Sequence, residues 1–224
     1  MTSGRRAAAS LAWVGVFAVA FALVEASVVI YLRALYYPEG FAFPLKLIPA
    51  GYLRLEIARE AATIVMLCAV GMIAGARPWE RFGFFLVAFG AWDLLFYAWL
   101  LVTVSWPASL LDWDILFLIP VPWIGPVIAP LLVSVLMVVC GAVIVLRSAG
   151  DRHFHPVALS WALGALATLL IIGSFISDTA AGLHAERPAA YHYEILLAGL
   201  IAYIAGFATA CRSPRGKTDI PRAI

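Results

Sequence analysis

The sequence predicts an all-α protein, a transmembrane bundle of about six helices. Apolar residues make up 64% of the 224 residues and charged residues only 12%, with a mean hydropathy of +0.99, which lies outside the usual range of water-soluble domains. The apolar runs have the length of membrane-spanning helices, about 20 residues each. The alternating ten-residue pattern of a transmembrane β-barrel is absent. Helices are therefore expected, because lipid cannot hydrogen-bond to the backbone.

Six apolar runs define the expected spans, at residues 8–32, 53–76, 82–104, 127–146, 157–176 and 193–211. The basic start of the first run also fits a cleaved signal peptide, and that alternative stays open. The run nevertheless continues past the small residues Ala20 and Ala22 to Leu32, which favours an uncleaved span. We expect residues 1–211 to form one transmembrane domain and residues 212–224 to be a disordered polar tail.

The segment before the fourth span is rich in proline. Residues 115–146 contain no charge, and as one helix they would extend about 48 Å, too long for a single straight span. Prolines lack an amide donor and disfavour helix in the preceding residue, and four occur here, Pro120, Pro122, Pro126 and Pro130. Two structures fit: an interfacial or re-entrant segment at 112–125 before the span, or one kinked and tilted helix.

The distribution of charge predicts the orientation. Both termini and the loops at 77–81 and 147–155 fall on one side, which carries ten of the fifteen Lys and Arg residues and three of the thirteen acids. Basic residues in short loops favour the cytoplasmic side. We therefore expect an inner or plasma membrane protein of bacterial type with cytoplasmic termini.

Ionisable residues within the spans mark a candidate site, because each costs about 2.5–3.5 kcal/mol to insert. Glu25 and Glu60 lie seven residues inside the outer ends of the first and second spans, hence at similar depth. Glu56, Arg59 and Glu60 share one helical face by their three- and four-residue spacing. A buried cluster of carboxylates around Arg59 is the expectation.

Asp93 lies near the middle of the third span, and Tyr97 is one turn farther outward, where it could continue a hydrogen-bonded path toward Glu25 and Glu60. Four carboxylates would then compete for one in-span cation, Arg59. Burial and like charge oppose ionisation, so we expect at least one carboxylate, with Asp93 the first candidate by depth, to be protonated at neutral pH. The alternative is that Arg59 forms a structural ion pair, and that the carboxylates it does not bind face water in an outer vestibule.

A second group of polar residues lies on the outer face. Imidazole and carboxylate groups can bind zinc, copper or iron, but two histidines eight residues apart match no known ligand pattern, and an ordinary solvated loop is the alternative. The sequence requires no cofactor. The weak metal candidates are His184 and His192, and the other candidates on this face are Asp112, Asp114, Asp178 and Glu194.

Three functions remain open from the sequence. The first is an ion- or proton-linked carrier or proton pathway through the carboxylate cluster. The second is a membrane-embedded enzyme with an acid/base or metal site on the outer face. The third is a structural or assembly subunit of a larger membrane complex. No CxxC, HExxH or GxSxG motif is present to favour redox, zinc-protease or serine-hydrolase chemistry.

The expected partners follow from the helix surfaces. The lipid bilayer surrounds the spans, and nothing in the sequence indicates nucleic acid. Small residues let helices approach closely, and two stripes of them could serve either packing within the bundle or contact with another copy or subunit. They are Gly71 and Gly75 in the second span and Ala198, Ala202, Gly206 and Ala210 in the sixth.

Overall fold

A computed structural model describes residues 3–41, 46, 49–150, 154–177, 179 and 190–212. Six helices in this part of the chain are long and apolar enough to cross a membrane, which confirms the expected helical bundle. They are α1 (Ser3–Tyr36), α2 (Ala50–Ala74), α3 (Pro78–Val104), α4 (Ile128–Ala149), α5 (Ala158–Ile176) and α6 (Tyr193–Arg212). The tail beyond Arg212 lies outside the described residues.

The proline-rich segment forms an antiparallel β-hairpin of strands β1 (Trp113–Phe117) and β2 (Trp123–Pro126). The kinked single helix is therefore wrong, because the backbone of these residues pairs across the hairpin and α4 begins only at Ile128. The prolines fit this arrangement, since a residue without an amide donor is tolerated in turns and in edge strands. That the hairpin lies at the membrane interface stays a prediction.

The bundle has two ends that differ in their connections. The hairpin end carries β1, β2, the last turns of α1, α3 and α5 and the first turns of the other helices. The termini end carries the start of α1, the end of α6 and the short α2–α3 turn. In that turn the Glu80 carboxylate accepts hydrogen bonds from the amides of Ala76 (2.8 Å) and Arg77 (3.3 Å), so it satisfies free donors where α3 starts.

Helix α3 is the centre of the bundle and packs against α1, α2 and α4. Glycines make the closest approaches. A Cβ placed on Gly90 would lie 2.5 Å from the Ser134 carbonyl oxygen, and one on Gly141 would lie 2.5 Å from the Gly83 carbonyl oxygen. A Cβ on Gly71 or Gly75 would meet backbone atoms of α3, so this small-residue stripe packs within the chain. Oligomerisation through it stays a prediction.

Helices α5 and α6 form an antiparallel pair, with Gly199 and Gly206 of α6 against α5. At the hairpin end this pair contacts β2, where the rings of Trp123 and Phe175 stack with centroids 5.9 Å apart. At the termini end Arg147 of α4 donates a hydrogen bond to the Cys211 carbonyl oxygen (2.6 Å). In the hairpin half the pair packs against α4 through Leu196 and Leu200, and in the termini half a groove opens between the pair and helices α3 and α4.

Candidate functional site

A polar chamber lies at the hairpin end, enclosed by α1, α2, α3 and β1. Its volume is about 130 Å³, enough for several water molecules, since one needs about 10–15 Å³ of such space. The wall combines charged groups with aromatic rings. The ionisable and hydroxyl side chains that line it are Glu25, Arg33, Tyr36, Tyr37, Glu56, Arg59, Glu60, Thr63, Asp93, Tyr97 and Asp114.

Arg59 pairs with two carboxylates. Its guanidinium donates to Glu25 of α1 and to Glu56, one turn earlier on α2, and its Nε lies 2.9 Å from Glu56 Oε1. The expected contact between Arg59 and the carboxylate cluster is therefore present. All three side chains are mostly buried, with exposures of 22%, 11% and 12% for Arg59, Glu25 and Glu56. Thr63 Oγ1 donates to the second oxygen of Glu25 at 3.3 Å.

Glu60 faces the same chamber but has a different partner. Its carboxylate accepts a hydrogen bond from the backbone amide of Leu118 at 2.8 Å, where the chain leaves β1. Glu60 is buried, and no described residue forms an ion pair with it. The helix α2 thus presents neighbouring carboxylates with unequal compensation, because Glu56 has a guanidinium and Glu60 has a neutral amide.

Asp93 of α3 also lines the chamber. Its carboxylate accepts a hydrogen bond from Ser134 Oγ of α4 at 2.8 Å. Ser134 is buried and lies beside Gly90, whose missing side chain lets the two helices approach. Within the described part of the chain Asp93, like Glu60, has no ion-pair partner.

A second ion pair lies at the end of α1 that lines the chamber. Arg33, in the last turn of α1, donates to Asp114 of β1 at 2.8 Å. The guanidinium carbon of Arg33 lies 3.9 Å from the ring centroid of Trp106 and 4.7 Å from that of Phe41, which are cation–π distances. Burial of the Asp114 side chain raises its pKa to about 6, and the Arg33 charge only partly opposes this.

Tyr97 contributes to this second pair. Its hydroxyl group donates to Asp114 Oδ2 at 3.3 Å, so its described hydrogen bond leads toward Arg33 and not toward Glu25 or Glu60. The sequence-based path from Asp93 through Tyr97 to those two glutamates is replaced by contact with the hairpin. Tyr97 is buried and still lines the chamber beside Asp93.

The charge of the chamber is unbalanced. Five carboxylates and two guanidinium groups line it. Arg59 compensates Glu25 and Glu56, and Arg33 compensates Asp114. Glu60 and Asp93 remain with hydrogen bonds from neutral donors only. The chamber therefore has two acids that a proton or a bound cation could neutralise.

The remaining candidates of the outer face lie apart from the chamber. Asp112 accepts hydrogen bonds from the amides of Ala108 and Ser109 (2.8 and 2.9 Å), so it stabilises the turn after α3. His192 Nδ1 lies 2.8 Å from Glu194 Oε1. Asp178 and His184 lie outside the described residues. Among those that are described, no group of three His, Cys, Asp or Glu side chains could hold a metal ion.

Three participants were not singled out from the sequence: Arg33, Ser134 and the Leu118 amide. Arg33 is at the end of a span, where a basic residue usually extends to the interface, and Ser134 is one hydroxyl within an apolar run. Asp114 was noted, but its partner is 81 residues away in the chain. The folded hairpin brings Arg33 and the Leu118 amide to their partners, and the packing of α3 against α4 brings Ser134 to Asp93.

No protein-family model matches the chain, and no curated protein or solved structure is similar to it. The function must therefore be inferred from the chamber itself.

Proposed function

We propose that the chamber is the ion- or proton-binding site of a membrane carrier or proton pathway. The single observation that carries this proposal is the excess of carboxylates over guanidinium groups, five against two, around one small cavity. An intramembrane ionisable residue is costly and is commonly part of an ion or proton path. In this protein several such residues line the same cavity.

Glu60 and Asp93 are the residues to which we assign the exchange. Their described hydrogen bonds come from an amide and a hydroxyl group, which orient a carboxylate without neutralising it. A desolvated carboxylate needs a proton or a cation nearby. Because the volume of about 130 Å³ is small, the proposed cargo is a proton or a small cation.

The proposed direction of access follows from the packing. Beyond Asp93 toward the termini end, α3 and α4 meet through Gly83, Gly90 and Gly141 without room for a Cβ. This contact supports a closed path on that side, while the chamber lies at the hairpin end. With cytoplasmic termini, as the charge distribution predicts, the proposed site is accessible from outside.

The two other hypotheses have less support from the described residues. An enzyme with a metal site would need a cluster of ligands, and the described part of the chain contains no such group. An assembly subunit would present its charges to a partner helix, whereas Arg59 and Arg33 pair with carboxylates of the same chain. Carrier or pathway function fits an enclosed cavity better.

The test is proton or cation flux in liposomes. The purified protein is reconstituted with a pH-sensitive dye inside, and a pH or potassium gradient is imposed. We expect flux from the wild-type protein and its loss in Glu60→Gln and Asp93→Asn. Glu39→Gln is the matched control, because Glu39 is exposed and does not line the chamber. Equal flux in all four proteins, or none above empty liposomes, would contradict the proposal.

A further inference from the structure

A second cavity of about 530 Å³ lies at the termini end, between α3 and α4 on one side and α5 and α6 on the other. Its wall is almost entirely apolar. Several of these side chains are open to the surroundings, with Trp161 63% and Phe82 41% exposed. The aromatic residues that line this groove are Trp79, Phe82, Phe154, Trp161, Tyr203 and Phe207.

Basic residues surround the termini end of the groove. Arg77 directly precedes Pro78, which lines the groove, and donates to the Ser148 carbonyl oxygen at 3.0 Å. Arg147 is one turn beyond Ile144, another lining residue. The nearby Glu80, whose carboxylate accepts hydrogen bonds from two backbone amides, is one acid against these two arginines.

Arg147 is the best placed of these basic groups. One terminal nitrogen donates to the Cys211 carbonyl oxygen at 2.6 Å, so the guanidinium bridges α4 and α6. Its Nε is buried, and no described group accepts its hydrogen bond. A phosphate oxygen is a favoured partner for a guanidinium.

We propose that this groove binds an anionic phospholipid, with an acyl chain among the aromatic rings and the phosphate at Arg147 and Arg77. Charge complementarity supports this occupant, because a basic pocket between transmembrane helices suits an acidic lipid headgroup. The open apolar wall supports a ligand that enters from the bilayer. The site is separate from the polar chamber, and the proposal does not depend on the carrier function.

The test is retention of phosphatidylglycerol, compared with phosphatidylcholine of the same acyl chains, by native mass spectrometry of the full chain. We expect the wild-type protein to retain phosphatidylglycerol preferentially. Arg147→Gln should weaken this retention about fivefold, the effect typical of one basic residue near an anionic lipid surface, and leave phosphatidylcholine unchanged. Arg54→Gln is the matched control, because Arg54 is exposed at the hairpin end.

A second pair of variants tests the apolar part of the groove. A Cβ on Gly164 would meet no atom within 4 Å, and Gly164 lines the groove, so Gly164→Leu should fill it and displace the lipid. Gly173 on the same helix is equally open but does not line the groove, so Gly173→Leu should retain it. If Arg147→Gln does not fold, Arg77→Gln serves the same purpose, since Arg77 is exposed.

Two results would overturn the proposal. One is equal retention of the two lipids with no effect of Arg147→Gln or Arg77→Gln, which would mean that the groove holds bulk acyl chains without selectivity. The other is a lipid-free dimer that Gly164→Leu dissociates, which would assign the groove to a second copy of the chain. Preferential loss of phosphatidylglycerol in the arginine variants, together with loss of lipid in Gly164→Leu but not in Gly173→Leu, supports the proposal.

Discussion

Glu60 in α2 accepts a hydrogen bond from the backbone amide of Leu118, 2.8 Å away, where the chain leaves β1. This contact joins a transmembrane helix to the hairpin and satisfies a donor that the hairpin does not use itself. Backbone without helical hydrogen bonds is tolerated in membrane proteins where it lines a cavity or has other partners. Glu60 therefore serves the structure as an acceptor, and we propose that it serves function as an acid.

These two roles of Glu60 can be separated by substitution. Glu60→Gln keeps a carbonyl acceptor for the Leu118 amide, so it should change the free energy of unfolding by less than about 1 kcal/mol. Glu60→Ala leaves the amide without its acceptor and should cost about 1–3 kcal/mol. Thermal unfolding in detergent measures both. A Gln variant as unstable as the Ala variant would show that the charge itself stabilises the fold.

Arg59 gives a prediction about pairing. Arg59→Met leaves Glu25 and Glu56 without their shared cation. Breaking a buried ion pair costs about 3–5 kcal/mol, and we expect about 2–3 kcal/mol here because the chamber has room for water.

The matched test of Arg59 is a double variant. Adding Glu25→Gln to Arg59→Met removes one of the uncompensated carboxylates and should restore about half of the lost stability. Non-additivity of this kind is the expected sign of direct contact. Strictly additive losses in thermal unfolding would mean that the two side chains do not interact.

The sequence predicted the helices and part of the site. Spans follow from apolar length, and Glu56, Arg59 and Glu60 share a face because they follow the helical repeat. The depth of Glu25 placed it opposite Arg59, and the two are in contact. These features depend on distances along single helices, which the sequence contains directly.

Distances along single helices could not predict the hairpin or its contacts. Proline spacing excluded a straight helix but fitted both a separate segment and a kinked helix, since proline constrains its own φ and its neighbour without choosing a partner strand. The pairing of Arg33 with Asp114 and of Ser134 with Asp93 depends on how separate elements pack. No periodicity within one element records such contacts.

Asp114 gives a prediction about pH. Its pKa is about 6 in the folded protein because burial opposes the charge more than Arg33 favours it, and about 4 in an unfolded chain. Between these values the folded state binds the proton more strongly, so the contribution of Asp114 to stability increases as the pH falls from about 6 to about 4.

The comparison of wild type with Asp114→Asn isolates this contribution. Other groups titrate in both proteins, so the difference between their melting temperatures is the quantity to measure. We expect the melting temperature of the wild-type protein to increase relative to that of Asp114→Asn as the pH falls from 6 to 4. A difference that is constant with pH, or that changes in the opposite direction, would show that Asp114 is charged through this range.

The predicted orientation can be tested with reporters. The basic bias of ten residues against five predicts that both termini lie in the cytoplasm, so a reporter that is active only in the cytoplasm should be active when fused after Ile224. A second fusion after Glu39, in the α1–α2 connection, should give the opposite result. An extracytoplasmic C-terminus would reverse the side from which we expect the chamber to be reached.

Gly90 links the packing of the bundle to the chamber. A Cβ at this position would lie 2.5 Å from the Ser134 carbonyl oxygen and 3.2 Å from Met137 Cβ, and a backbone atom cannot move aside as a flexible side chain can. Gly90→Ala should force α3 and α4 apart and destabilise the protein by about 1–3 kcal/mol. Gly15→Ala in α1 is the matched control, because its Cβ would meet nothing within 4 Å and alanine is the better helix former by about 1 kcal/mol.

Gly90→Ala would disturb both the packing of α3 against α4 and the hydrogen bond between Ser134 and Asp93. Ser134→Ala separates these two effects, since it removes the hydrogen bond to Asp93 without adding an atom between the helices. If Gly90 acts only through packing, Gly90→Ala should lower the melting temperature more than Ser134→Ala does. If both variants also change flux in liposomes while Gly15→Ala does not, the position of Ser134 against Asp93 matters for function. Unchanged stability in Gly90→Ala would show that α3 and α4 are farther apart than the glycine contact implies.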